Sequence, residues 1–123
     1  MMTDNTNTVC FTGALPETPS LMSTIYGHET CRFELVVECG NQATVRPVIK
    51  AYSDLAIKAC RLPKQAKVHI EGYYMDVEKT TKHGHVYKEG FFIAERIYYG
   101  RLRGKHWEWQ NICQEQMQFT PSP

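Results

Sequence analysis

Short runs in which apolar and polar residues alternate are the feature that most constrains how this chain can fold. Alternation with period two places one side of an extended strand against a core and the other side in water. The clearest run is CRFELVVEC, residues 31–39, whose apolar side carries Cys31, Phe33, Leu35, Val37 and Cys39. This pattern predicts a strand with one buried face and makes a mostly β protein the first expectation.

Four further runs complete a predicted set of five strands, at residues 9–15, 43–52, 64–78 and 91–99. Gly40, Asn41 and Gln42 predict a tight reversal between the second and third strands, because short hairpin turns demand positive φ. Pro47 cannot donate to a ladder, so the third strand is expected to be exposed or bulged there. The polar stretch at residues 79–90 predicts a long hairpin loop between the fourth and fifth strands.

One short helix is expected between the third and fourth strands. Ser53 and Asp54 offer a cap for LAIKACRL, residues 55–62, whose apolar residues recur at helical spacing until Pro63. Three strands, a helix and two strands make up the plan of the OB-fold, an all-β, five-stranded, partly open barrel that commonly binds single strands. The expected OB-fold domain covers residues 8–100. A flexible N-terminus at residues 1–7 and a partly ordered extension at residues 101–123, disordered at its end, are expected to flank it.

The stretch VHIEGYYMD interrupts its own alternation with Gly72. Glycine inside a strand is typical of a bulge, at which a strand can bend to close a small barrel. Val68, Ile70 and Tyr74 share the parity of Gly72 and are expected to point inward. Tyr73 has the opposite parity, so it is expected to face outward as a platform for stacking.

Composition favours one soluble globular domain. The chain has 123 residues, of which 42% are hydrophobic and 22% are charged. All fourteen Lys and Arg residues lie within residues 32–106 beside eight acids, which leaves an excess of six positive charges there. Five cysteines without a CxxC pair, and no secretory signal, predict reduced thiols in a cytoplasm. No apolar run approaches the length of about eighteen residues that a membrane helix requires.

Two stretches resemble the bacterial single-stranded DNA-binding protein family. TVCFTGALPETPSL is similar to that family's opening strand and the acidic, proline-containing loop after it. AYSDLAIKACRLPKQAKVHIEGYY is similar to its helix, its Lys-Gly turn and its V-x-V/I-E-G-x-L strand. The resemblance runs from about Asn7 to Tyr99 and implies an OB-fold that binds single-stranded DNA. Primosomal replication protein N, a dimeric relative of the same fold, shares the general pattern.

The chain also departs from that family. Lys64-Gln65 stands where the family usually has Lys-Gly, and Arg46 and Lys79 stand where it carries tryptophans. The terminal QFTPSP lacks the acidic tip through which the family recruits other replication proteins. These departures put tight tetrameric wrapping of DNA and tip-mediated recruitment in doubt.

Cations interleaved with aromatic rings are the candidate nucleic-acid contacts, because cations track phosphates and flat rings stack on bases. The stretch between the fourth and fifth strands supplies Lys79, Lys82, His83, His85, Tyr87 and Lys88. Arg46 and Lys50 share the outward parity of the third strand, and Tyr73 joins them as the stacking platform. Tyr52 has the same parity as Lys50 but is expected to pack against the helix.

A second basic and aromatic segment follows the fifth strand. It comprises Arg101, Arg103, Lys105, Trp107 and Trp109. The segment could extend the path of the nucleic acid or could anchor a subunit contact through its tryptophans, and the enrichment of tryptophan in interface hot spots favours the subunit contact.

No cofactor, metal ion or enzymatic activity is expected. Cys31 and Cys39 are eight residues apart on one predicted strand, about 26 Å, which is too far to share a zinc ion. His83 and His85 could chelate only weakly. No nucleophile is paired with a base, and no phosphate loop or nucleotide fingerprint is present.

The sequence therefore predicts a single-stranded DNA-binding protein with little sequence preference, acting in replication, recombination or repair. Its expected partners are single-stranded DNA, further copies of itself in a dimer or tetramer, and replication or recombination proteins, in the bacterial cytoplasm or nucleoid. One alternative is a primosome-like accessory protein that acts mainly through protein contacts. The other is an OB module that binds RNA, because stacking and phosphate contacts serve both nucleic acids.

Overall fold

The computed structural model describes residues 8–23 and 27–113. In these ranges the chain forms nine strands and one short helix. The strands are β1 (Thr8–Ala14), β2 (Ser20–Ser23), β3 (Glu29–Glu34), β4 (Val37–Glu38), β5 (Thr44–Val45), β6 (Val48–Tyr52), β7 (Lys67–Thr80), β8 (Val86–Arg103) and β9 (His106–Asn111), and the helix is α1 (Ser53–Ala59). No helix among these residues is long and apolar enough to cross a membrane.

The mostly β expectation is confirmed, but the count of five strands is wrong. The predicted second strand is divided into β3 and β4. Between them the Leu35 N–H donates to the Pro47 carbonyl and the Val36 N–H donates to the Ala14 carbonyl, so the two residues bond to different neighbours. The predicted third strand is divided into β5 and β6 at Pro47, which has no N–H for a ladder. β2 and β9 are additional strands that the alternation did not predict.

The strands do not close into the predicted barrel. The main sheet has the order β1-β7-β8-β6-β3-β2, with β9 paired to β8, while β4 and β5 form a separate two-stranded sheet. Between β1 and the β3–β4 segment, the described residues form only the isolated bridge between Ala14 and Val36. A Cβ at Gly13 would collide with the Val36 carbonyl, so this close approach depends on glycine. The sheet therefore curves around its core but stays open at this seam.

The tight reversal before β5 is confirmed, with Asn41 at φ 66° and Gln42 at φ 64°. The predicted helix is present but shorter than expected, because α1 ends at Ala59. The predicted cap is wrong: Ser53 is already the first helical residue, and Tyr52 occupies the cap position without a side-chain bond. Asp54 instead pairs with Lys58 one turn later at 3.2 Å. The expectation that Tyr52 is buried is also wrong, since it is 43% exposed at the end of β6.

β7 and β8 form a long antiparallel ribbon that is the backbone of the fold. Their register runs from the pair Lys67 and Gly100 to the pair Thr80 and Val86. The connecting loop is therefore residues 81–85 and not the predicted stretch 79–90. Thr81 accepts a hydrogen bond from the Gly84 N–H and donates its own N–H to His85, so the turn closes tightly and lets both strands extend.

The predicted bulge at Gly72 is confirmed. Glu71 pairs with Arg96 but Gly72 pairs with Ala94, so Glu95 is the extra residue of the bulge. A Cβ on Gly72 would collide with the Ile93 carbonyl oxygen, which explains why glycine is needed there.

The two tyrosines after the bulge lie on opposite sides of β7, as expected, but Tyr74 is not buried. Tyr74 keeps its inward parity, and its ring packs edge-on against Phe92 at 5.1 Å, yet it is 49% exposed. The expectation that it is a core residue is wrong, because the ribbon has already run past the end of the core. Tyr73, expected to face outward, is half-buried.

The core lies between the inner faces of the sheet and α1. Its largest fully buried side chains are Leu15, Leu35, Ile49, Leu62, Ile70, Ile97 and Ile112. Ile112 follows β9 and donates its N–H to the Ile97 carbonyl at 2.9 Å, so the chain after β8 folds back onto the same core. The expected flexible N-terminus and the expected disordered end lie outside the described residues.

Candidate nucleic-acid interface

Five side chains from four strands meet on the outer face of the sheet. Arg32 in β3 pairs across to Lys50 in β6, and Lys50 pairs to Ile93 in β8, so their side chains share one face. The far half of the β7–β8 ribbon supplies the others. We call this surface the cation-aromatic face, and its members are Arg32, Lys50, Lys79, Glu89 and Phe91.

Lys50 is the centre of this face. Its Nζ lies 3.8 Å from the centroid of the Phe91 ring, and Phe91 is only 5% exposed beneath it. Burial lowers the pKa of Lys50 below its ordinary value, and the neighbouring cations Arg32 and Lys79 act in the same direction, against Glu89. Within the described part of the chain Lys50 has no ion pair within 4.0 Å. It is a cation held on an aromatic ring and available to an anion.

Glu89 is the one carboxylate of the face and lies between two cations. Its Oε2 is 3.7 Å from Arg32, and its Oε1 is 2.6 Å from Lys79 Nζ. The Lys79 contact is a close ion pair. That contact is the main reason that the pKa of Glu89 lies below and that of Lys79 above its usual range. Three cations around one carboxylate leave this face with an excess of positive charge.

The hairpin residues predicted from sequence lie at different places along the ribbon. Lys79 and Tyr87 are cross-strand partners on the same side as Glu89, and Tyr87 is 48% exposed. Lys88 pairs with Glu78 and therefore lies on the other side. Lys82, His83 and His85 are exposed in the tight loop.

The predicted row of Arg46 and Lys50 is interrupted, because Arg46 lies before the break at Pro47. Arg46 pairs with Glu34 at 3.6 Å. It shares with Arg32 a cleft of about 440 Å³ beside the loop at residues 16–20. Tyr73 shares its side of the ribbon with Ile93, next to Lys50.

Sequence reasoning did not single out Arg32, Glu89 or Phe91. Arg32 had a usable signal, since it falls on the polar side of CRFELVVEC. Phe91 had none, because the contact depends on parallel pairing between β6 and β8, which are far apart in the chain.

A second outer surface lies on the opposite half of the ribbon, where β1, β7, β8 and β9 are neighbours. Trp109 lies edge-on to His69 at 6.0 Å, and Tyr98 lies 5.8 Å from the same ring. His69 Nδ1 and the Thr12 hydroxyl are 2.7 Å apart. These four residues, which we call the aromatic face, line a shallow cleft of about 260 Å³ together with Glu71.

Glu71 is neutralised within this surface. Arg96 Nε donates to Glu71 Oε1 at 2.6 Å, and this hydrogen bond holds the pKa of Glu71 below its usual range. Glu71 Oε2 lies 3.5 Å from His69 Nε2. Because Glu71 beside the aromatic face is paired with Arg96, this face is better suited to contact a protein surface than to bind phosphates.

Cys10, His69 and Glu71 are the one set in the described ranges that could hold a metal ion, with ligand atoms within 4.8 Å of one another. The carboxylate of Glu71 is already neutralised by Arg96. We therefore assign these three residues to the surroundings of that ion pair and not to a metal site. Cys31 is fully buried, and burial raises its pKa to about 12, so it behaves as a small apolar residue of the core.

The basic and aromatic segment predicted after the fifth strand forms the β8–β9 hairpin. Trp107 and Trp109 stack with centroids 6.1 Å apart and an angle of 28° between their rings. Arg103 pairs with Glu108 at 3.1 Å, and Lys105 lies in the turn. Arg101 faces a separate cleft with Trp107.

A curved, mostly β sheet with one short helix fits an OB-type fold. Comparison with solved structures agrees. The chain is similar to the wild-type single-stranded DNA-binding protein from Thermus aquaticus, with 24% identity, a TM-score of 0.63, and coverage of 80% of this chain and 41% of that one. It is also similar to a deletion variant of that protein, with 23% identity, a TM-score of 0.63, and coverage of 79% and 42%.

At this level of identity the likeness shows the fold, and it confirms that the resemblance seen in the sequence is right about the OB-fold. The chain spans about two-fifths of the length of these neighbours. No protein-family profile matches the chain, and no curated protein matches it.

Proposed function

We propose that this protein binds single-stranded DNA with little sequence preference, through the cation-aromatic face and the loop at residues 81–85. The observation that carries the proposal is Lys50 held on Phe91 between Arg32 and Lys79. The shared fold with a single-stranded DNA-binding protein supports it.

The chemistry of the face fits the backbone of a single strand. Phosphates of the strand compete with Glu89 for Arg32 and Lys79. Lys50 also binds a phosphate, because its ammonium is poorly solvated where it lies. Tyr87, which is 48% exposed, offers a ring on the same ribbon on which a base can stack. Stacking is available to every base, so the site has little preference for sequence.

The remaining assigned residues have supporting roles. Lys82 extends the positive path at the loop tip, where His83 and His85 offer exposed rings, and Lys88 reaches the path from the other side of the ribbon. Arg46 continues the path beyond Arg32. The protein acts by binding, as a non-enzymatic factor in replication, recombination or repair in the bacterial cytoplasm or nucleoid.

A second candidate function is that of an accessory protein acting mainly through protein contacts. The aromatic face favours this possibility, because it exposes rings around the internally paired charges of Glu71 and Arg96. In the first proposal the same face holds copies of this chain together in a dimer or tetramer. In the second candidate function, the aromatic face binds replication or recombination proteins.

Binding to three labelled nucleic acids distinguishes these functions. An oligo-dT of about 35 nucleotides, longer than one OB-fold covers, is compared with a duplex and an oligo-U of the same length. Tighter binding of oligo-dT than of the duplex supports the first proposal. Preference for oligo-U indicates the RNA alternative. Absence of binding at low salt, with a stable dimer by light scattering, favours the accessory protein.

A further inference from the structure

A cleft of about 390 Å³ lies between the turn at residues 63–67 and the β8–β9 hairpin, away from the cation-aromatic face. The cleft is shallow and open to solvent. The lining residues that matter here are Lys64, Gln65, Lys67, Arg101 and Trp107.

The cleft is positively charged. Lys64, Lys67 and Arg101 line it, and no carboxylate is among the described residues that do so. Two acids already have ion-pair partners: Glu17 is 3.6 Å from Lys64, and Glu108, the cross-strand partner of Arg101, is 3.1 Å from Arg103. Both ion pairs are exposed, so they contribute little and exchange readily for another anion.

The cleft also has a flat aromatic wall in a fixed position. Trp107 is 43% exposed and stacks on Trp109. Trp109 lies flat on Gly100, where a Cβ would collide with its ring, so the absence of a side chain at Gly100 lets the ring approach the sheet. Lys67 Nζ lies 5.5 Å from the centroid of Trp107, which places a cation beside the ring. The cleft can therefore bind an anion and a planar group next to each other.

We propose that this cleft binds one nucleotide of a single strand, with its base on Trp107 and its phosphate between Lys64 and Lys67. The site rests on the proposed function and extends it, because it adds a second contact region at the other end of the β7–β8 ribbon. A strand long enough to reach both regions gains affinity over a short one through effective concentration.

The two tryptophans of the protein, Trp107 and Trp109, both lie in β9, so intrinsic tryptophan fluorescence reports on this hairpin alone. Anisotropy of a labelled oligo-dT of about 35 nucleotides reports binding anywhere on the protein. The two signals are recorded in the same titration. We expect tryptophan quenching that saturates together with the anisotropy.

The double variant Lys64→Ala with Lys67→Ala should lose most of the quenching and bind the oligonucleotide about tenfold more weakly. The matched control is Arg61→Ala, an exposed cation outside the cleft, which should keep both signals. Equal thermal unfolding of all variants shows that they are folded.

The outcomes separate this inference from the proposed function. Anisotropy without quenching, or quenching that the double variant leaves unchanged, overturns the cleft and leaves DNA binding intact. If neither anisotropy nor quenching changes, both the cleft and the proposed DNA binding are overturned. A free thymidine monophosphate that quenches at the same concentration as the oligonucleotide overturns the assignment to a strand, because the cleft would then select a mononucleotide.

Discussion

Lys50 Nζ lies 3.8 Å from the centre of the Phe91 ring, and this contact joins β6 to β8 on the outer face of the sheet. The ring shields the ammonium from water, and burial lowers the pKa of Lys50 as a result. A lysine in this state can leave the aromatic ring for a phosphate at a small cost in free energy, because its ammonium has already lost much of its hydration.

The first prediction concerns pH. A lysine is charged below its pKa and neutral above it, so Lys50, whose pKa is lowered, loses its charge at a lower pH than an ordinary lysine. Affinity for oligo-dT should therefore decline as pH rises on the alkaline side of neutrality. Lys50→Arg keeps its charge throughout and should flatten the decline. Anisotropy titrations of both proteins across that pH range check this, and identical profiles would argue against a role for Lys50.

The second prediction concerns the bulge. Gly72→Ala forces a Cβ into the Ile93 carbonyl, which is backbone and cannot move aside, so it should lower the free energy of unfolding by about 2 kcal/mol or more. Gly40→Ala is the matched control, because nothing lies within 4 Å of the position that a Cβ would take there. It should stay within about 0.5 kcal/mol of the parent. Urea unfolding measures both, and equal losses would contradict the role assigned to Gly72.

The bulge shows what the sequence can and cannot predict. Gly72 was recognisable because a glycine in an alternating run is a local signal. The same alternation was misleading at Tyr74, because parity gives the side of a strand and not the point at which the core ends. The Phe91 contact was beyond reach, since it requires the pairing of β6 with a strand about forty residues away. Strands were therefore predictable, whereas their breaks, the open seam and the site they assemble were not.

The third prediction concerns acid stability. Arg96 lowers the pKa of Glu71, so this pair stabilises the fold above the unfolded carboxyl pKa, and the contribution is lost as pH falls through the folded pKa. Glu71→Gln should lower the free energy of unfolding by up to about 1 kcal/mol at neutral pH, given the partial exposure of the pair, and by less in acid. Urea unfolding at pH near 7 and at pH near 3 measures the difference. The exposed Glu38→Gln is the control, and an equal pH dependence in both variants would contradict the account.

The fourth prediction concerns the thiols. Burial raises the pKa of Cys31 to about 12, so it holds almost no thiolate near neutrality and is shielded from reagents. Iodoacetamide applied to the folded protein should modify the exposed Cys10, Cys39 and Cys113 and spare Cys31. Peptide mass spectrometry locates the labels. Labelling of Cys31 as fast as Cys39 would show that the core is more open than described.

The central claim is that cations of the cation-aromatic face hold the phosphates of a single strand. The most direct test is the salt dependence of oligo-dT affinity, compared between the parent protein and the double variant Lys50→Ala with Lys79→Ala. Each cation that neutralises a phosphate of a single strand contributes about 0.7 to the slope of log K against log salt, so the variant should bind more weakly and lose about 1.4 from the slope. Arg61→Ala should change neither quantity. A double variant with the affinity and slope of the parent would contradict the claim.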